Sequence, residues 1–339
     1  MFNRYWRTYP WILQVVLLFL TCTTLMSFFT YLVLVLLPHF SHLSFTDLTQ
    51  LTSTSDIHAI RTGLWVQAIT HASTFALPGL LFTAFTHPRI RYYLGLRAPG
   101  KAIHWLLVTG LMLGLIPLFL WGEAWMMQHL HLGVWADELQ KTNDNTVSAF
   151  LRLDTGSDLI MLLFVLALLP AFGEEVIFRG ILLRLLHRVT ARRKSSDGDA
   201  SAAIPDAQQA MVFPVIVSAF LFACFHYNPY GFAFIFVAGC ILALIYFLTG
   251  SLLCSMWAHL LYNGLQVAAA FIGPHDASTQ KIAPAENLPV AYPLVGAILF
   301  CSCFYFLVKN QTPLPPDWSD DFKGEPVPPP QSNTKTPYV

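Results

Sequence analysis

A helix of roughly 20 apolar residues spans the hydrocarbon of a bilayer, and this chain contains eight such runs. They lie near residues 11–37, 64–86, 103–122, 157–187, 211–227, 230–249, 251–272 and 290–308. Backbone in lipid must satisfy its own hydrogen bonds, and apolar runs of this length do so as helices. The expected fold is therefore all-α, a polytopic membrane protein of about eight transmembrane helices. Charge content agrees: 11% of the 339 residues are charged, against roughly 25% in soluble domains. A formal net charge of zero, with no basic stretch interleaved with aromatics, gives no nucleic-acid surface. All six cysteines fall in apolar segments without metal-ligand spacing and read as small buried hydrophobes. The first run follows Arg4 and Arg7 and is longer than a signal-peptide core, so it reads as a retained span.

Lysine and arginine in the short loops set the expected orientation. Arg4 and Arg7 precede the first run, Arg89, Arg91, Arg97 and Lys101 lie between the second and third, and Arg188, Arg192, Arg193 and Lys194 follow the fourth, so all three segments are expected on the cytoplasmic side, while segment 123–156 is acidic. Both termini are then expected in the cytoplasm, with the protein a multi-pass component of the cell membrane. The linker KSSDGDASAAIPDAQQ and the tail from Asn310, with eight of the 22 prolines, are expected to bury no core.

Against this background, FGEEVIFRGILLR at 172–184 is anomalous, with Glu174, Glu175 and Arg179 inside an apolar run. Residues 157–172 alone would extend only about 24 Å, so the span should continue through the glutamates, kinked around Pro170 and Gly173. Two further runs carry polar groups: Phe222 and His226 four apart in FACFHYNP, and His259 and Asn263 four apart in HLLYN. Helix rise brings them into one depth band with Glu174, and places His259 about 12 Å from the cytoplasmic end of its run. The site is accordingly expected to open to the cytoplasm. His71, four residues after Gln67, reads instead as a helix-to-helix hydrogen bond. Ionisable groups at such depth are costly and usually functional.

The motifs Glu174-Glu175-x-x-x-Arg179, Phe222-x-x-x-His226 and His259-x-x-x-Asn263 resemble, in order, the three motifs of the CPBP family. This is the CAAX prenyl endoprotease and bacteriocin-processing (Abi) family of intramembrane proteases. The resemblance covers roughly 157–270 and implies catalytic residues on helices four, five and seven. Together with hydropathy, on which the parts outside it rest, it divides the chain into helices one to three with their loops (1–156), a catalytic core of helices four to seven (157–272), a last loop and helix eight (273–308), and a disordered Pro-rich cytoplasmic tail (309–339).

The implied activity is hydrolysis of a peptide bond in a membrane-associated or C-terminally processed protein or peptide, which with the bilayer makes up the expected partners. Glu174 is implied as the base, with His226 holding the water and His259 and Asn263 facing the oxyanion. Glu175 and Arg179 are spaced to pair along one helix face, and Phe222 reads as packing or a pocket wall. The preferred reading has no metal; a zinc site would use Glu174, His226 and His259. Alternatives of other classes are a proteolytically silent binding protein of the bacteriocin-immunity type and a proton-coupled transporter.

Overall fold

The computed structural model describes residues 9–196, 207–273, 289–315 and 318–319. The linker lies mostly outside these residues, as does the tail beyond Ser319. Among them the chain is all-helical, and eight long helices fall on the eight apolar runs. They are α1 (Trp11–Phe40), α2 (Ile57–Thr86), α3 (Ile103–His129), α4 (Gly156–Arg188), α5 (Ala207–Cys224), α6 (Phe232–Thr249), α7 (Leu252–Ile272) and α8 (Ala291–Lys309). Six of them, α1 to α4, α6 and α8, are long and apolar enough to cross a membrane. The apolar part of α5 is shorter, Met211–Cys224, and α7 is diluted by His259, Asn263 and Gln266.

Contacts between loops define two ends of the bundle. At the basic end, Arg97 Nε donates to Gly250 O at 2.8 Å, the Leu252 amide to Gly95 O at 3.0 Å, and the Thr312 amide to Leu248 O at 2.8 Å. Gly250 closes α6 in the left-handed conformation (φ 64°), which glycine adopts without a Cβ penalty. The expectation that the tail buries nothing is corrected for its first residues. Leu314 and Trp318 are buried in the core, and the Arg184 guanidinium lies 4.7 Å from the ring centroids of both Tyr93 and Trp318. An apolar leucine and a tryptophan within the proline-rich stretch supply the surface that its average composition conceals.

At the opposite, acidic end, Arg61 makes a two-point ion pair with Asp158 (2.9 and 3.0 Å), tying α2 to the start of α4. The amphipathic helix Val134–Phe150 packs here, with Asn143 donating to Tyr227 O at 3.5 Å and Tyr230 to Asp137 at 2.5 Å.

Small residues set how closely the helices cross. A Cβ at Gly114 of α3 would lie 2.6 Å from both Gly296 O and Phe300 N of α8, so backbone itself fills the space. Gly114→Ala should therefore force α3 and α8 apart and cost about 1–3 kcal/mol. Gly156→Ala, whose Cβ would meet nothing within 4 Å, serves as the control. Denaturation midpoints in detergent check both, and an unshifted Gly114→Ala would contradict the tight crossing.

Candidate active site

The local path of α4 follows from its prolines and glycines. Pro170 has no N–H for the carbonyl of Leu166 four residues earlier. The helix widens into a π-turn over Phe164–Leu168, and the Asn263 side chain of α7 donates to Leu166 O at 3.2 Å. A second widened stretch, Val176–Leu182, follows the two glutamates directly; such insertions recur at functional sites. α2 has its own π-turn at Ala72–Ala76, just before Pro78, immediately after His71. Gly173 lets these distorted segments meet, since a Cβ there would lie 3.1 Å from the Ala76 amide nitrogen and 3.4 Å from the His71 ring.

The two glutamates diverge in their surroundings. Glu175 is fully buried and heavily bonded: Arg179 Nη1 donates to its Oε1 at 2.7 Å, His259 Nδ1 to the same oxygen at 3.0 Å, and Ser255 Oγ lies 2.6 Å from Oε2. Arg179 also donates to Gly239 O of α6 at 2.9 Å and stacks over the Phe222 ring at 4.4 Å. Glu174 is 7% exposed and receives one hydrogen bond, at 2.9 Å from His71 Nε2 to Oε1. Its Oε2 is buried without a hydrogen-bond partner, with His226 Nε2 at 3.8 Å and His259 Nε2 at 3.9 Å.

The histidine tautomers follow from their acceptors. His226 Nδ1 lies 2.7 Å from Phe222 O, a group that can only accept, and His259 Nδ1 faces a carboxylate. Both rings thus donate from Nδ1 and turn Nε2 toward Glu174 Oε2. Phe222 packs between them, 4.5 Å from the His226 ring and 5.8 Å from that of His259.

The structure brings all seven motif residues into one cluster, with one difference from the sequence reading. His226 lies in the turn just past the end of α5 rather than within a helix, and its side chain is 31% exposed. Left-handed Tyr227 (φ 47°) redirects the chain there. His71 makes the expected helix-to-helix hydrogen bond, from α2 to α4, and its partner is Glu174 of the cluster.

A cavity of about 220 Å³ adjoins the cluster, lined by His226, His259 and Asn263 together with Glu123, Asn228, Tyr262 and Gln266. The expected route to the basic end is not the one the lining follows. Glu123 bonds Asn228, and neighbouring Tyr227 bonds the amphipathic helix, so the cavity runs toward the acidic end.

No curated protein and no solved structure matches the chain. Residues 156–265 match a family model described as Rce1-like, type II CAAX prenyl endopeptidase Rce1-like, and that segment spans all three motifs. On a multi-pass helical scaffold, residues 156–265 are thus similar to the Rce1-like type II CAAX prenyl endopeptidases, in keeping with the resemblance of the three motifs to the CPBP family.

Proposed function

We propose that this protein is an intramembrane endopeptidase in which Glu174 is the base that activates water for attack on a peptide carbonyl. The contrast between the two glutamates carries the reading. Glu175 has its oxygens occupied by Arg179, His259 and Ser255, whereas Glu174 keeps one oxygen free beside two imidazole nitrogens. A base needs a vacant lone pair within reach of the proton it takes. His71 holds Oε1 and thereby aims Oε2.

In the proposed reaction, water lies between Glu174 Oε2 and His226 Nε2 and gives its proton to Glu174 as it attacks. The carbonyl oxygen, gaining charge, is met by the second N–H of the Asn263 amide, whose first N–H is on Leu166 O. His259 contributes from Nε2 when its ring is doubly protonated, held through Nδ1 by Glu175. Glu174 then passes the proton to the leaving amine, which completes the hydrolysis.

The alternative zinc reading has suitable donor types, with Nδ1 of each imidazole engaged elsewhere, but among the described residues no three such side chains are placed to hold a metal ion. Zinc held by Glu174, His226 and His259 would polarise the carbonyl and acidify the water. The metal-free and zinc readings differ by whether a proton or a metal sits at His259 Nε2.

Hydrolysis of quenched membrane-proximal peptides by the purified protein in detergent tests the assignment. Activity should survive chelator. Asn263→Ala should lower kcat by about a hundredfold or more, roughly 2.7–4 kcal/mol, with little change in KM. Loss to chelator with recovery on added zinc would replace the metal-free water by a zinc-bound one. Absence of cleavage, together with unchanged C-termini in membranes with and without the protein, would favour a silent binding protein.

A further inference from the structure

The cavity has a second charged end, which the catalytic scheme does not use. Glu123 on α3 lines it, and Glu123 Oε1 accepts from Asn228 Nδ2 at 3.2 Å. Asn228 is itself fixed, because the Gly231 amide donates to its Oδ1 at 2.8 Å. Gly231 leaves the room this needs: a Cβ there would lie 2.9 Å from Glu123 Oε1 and closer still to the Asn228 amide. The carboxylate is therefore held through Oε1 by an asparagine that is itself fixed.

Among the described residues, no lysine, arginine or histidine nitrogen forms an ion pair with Glu123. The acidic groups around it have the same sign. Asp137 of the amphipathic helix binds Tyr230 beside Gly231, and Asp144 lies on the same helix. Carboxylates inside a membrane protein that face a cavity and lack a cation are costly and characteristically functional. The cavity is continuous between Glu123 and the catalytic residues His226, His259 and Asn263.

We propose that Glu123, held by Asn228, is a specificity subsite that binds a cationic group of the substrate while the scissile carbonyl lies between Glu174 and Asn263. The group is an ammonium, from lysine or a free amino terminus, or an arginine guanidinium. This assignment rests on the protease reading above and adds the substrate class. The geometry also places the cation toward the acidic end of the bundle, where the carboxylates of the amphipathic helix would draw it in.

The test uses the full chain in detergent and a set of quenched peptides in which lysine, arginine, glutamine or glutamate is moved through the positions flanking the cut. Each peptide is made with a free and an acetylated amino terminus. At one position, lysine or arginine should exceed glutamine in kcat/KM by about tenfold or more. Glu123→Gln should bring that ratio close to one, and Glu123→Lys should move the preference to the glutamate peptide. A structural role would not transfer charge preference in this way. If acetylation alone removes the preference, the cation is the amino terminus; if it does not, the cation is a side chain. Wild-type protein that cleaves all the peptides equally overturns the subsite and leaves the protease intact, whereas wild-type protein that cleaves none overturns both.

Discussion

Glu174→Gln should lower kcat by about 10⁴-fold and leave the protein folded. Glutamine keeps the volume of glutamate, and its carbonyl oxygen can still accept from His71 Nε2, the contact now made at 2.9 Å. It cannot accept the proton of the attacking water, so the loss should fall on the chemical step. Folding should not suffer, because the substitution removes a buried charge that has one hydrogen bond and an unpartnered oxygen. His226→Ala acts on the same water through a ring 3.8 Å from Glu174 Oε2. The double substitution should therefore be little worse than either single one, as for groups that work as a unit. Turnover by purified proteins, with denaturation midpoints measured alongside, decides the matter. Losses that multiply would assign independent roles, and an active Glu174→Gln with an inactive but folded Glu175→Gln would exchange the two glutamates.

The helices and the motif cluster could be read from the sequence because each depends on local information. Apolar length specifies a helix in lipid, and spacing of four residues puts Glu175 with Arg179 on one face, as their 2.7 Å contact reflects. His71 depends on which helices touch, and hydropathy says nothing of that. The available signal was indirect: Pro78 and Pro170 each disturb a helix, and Gly173 allows close approach beside the glutamates. His226 was misplaced for a similar reason, since apolar Phe225 and Tyr227 carry the hydropathy beyond Cys224, where α5 ends. The direction of the cavity was likewise unreadable from depth along one helix. It is set by Glu123 and Asn228, which are 105 positions apart and meet only in the folded bundle.

Arg179→Ala should be the most destabilising single substitution in the site, at about 3–5 kcal/mol, because it strands Glu175 in a fully buried position. Ser255 and His259 would still bond that carboxylate, but among the described residues its permanently charged partner would be gone. Arg179→Lys should recover only part of the loss. A lysine could approach Glu175, yet one ammonium cannot also reproduce the planar stack on Phe222 and the hydrogen bond to Gly239 O, which arise from a single flat guanidinium. Removing both charges with Glu175→Gln and Arg179→Met should restore much of the stability, since a buried ion pair can often be replaced by neutral groups at little cost. Activity should not return with it. His259 Nδ1 would then face an amide rather than a carboxylate, and the ring would lose the acceptor that fixes its orientation. A stability cycle across the two positions, paired with turnover of each variant, separates the contributions. If Arg179→Ala unfolds at the wild-type midpoint, Arg179 does not hold α4 against α6; if the neutral pair is both stable and fully active, Glu175 does not act through His259.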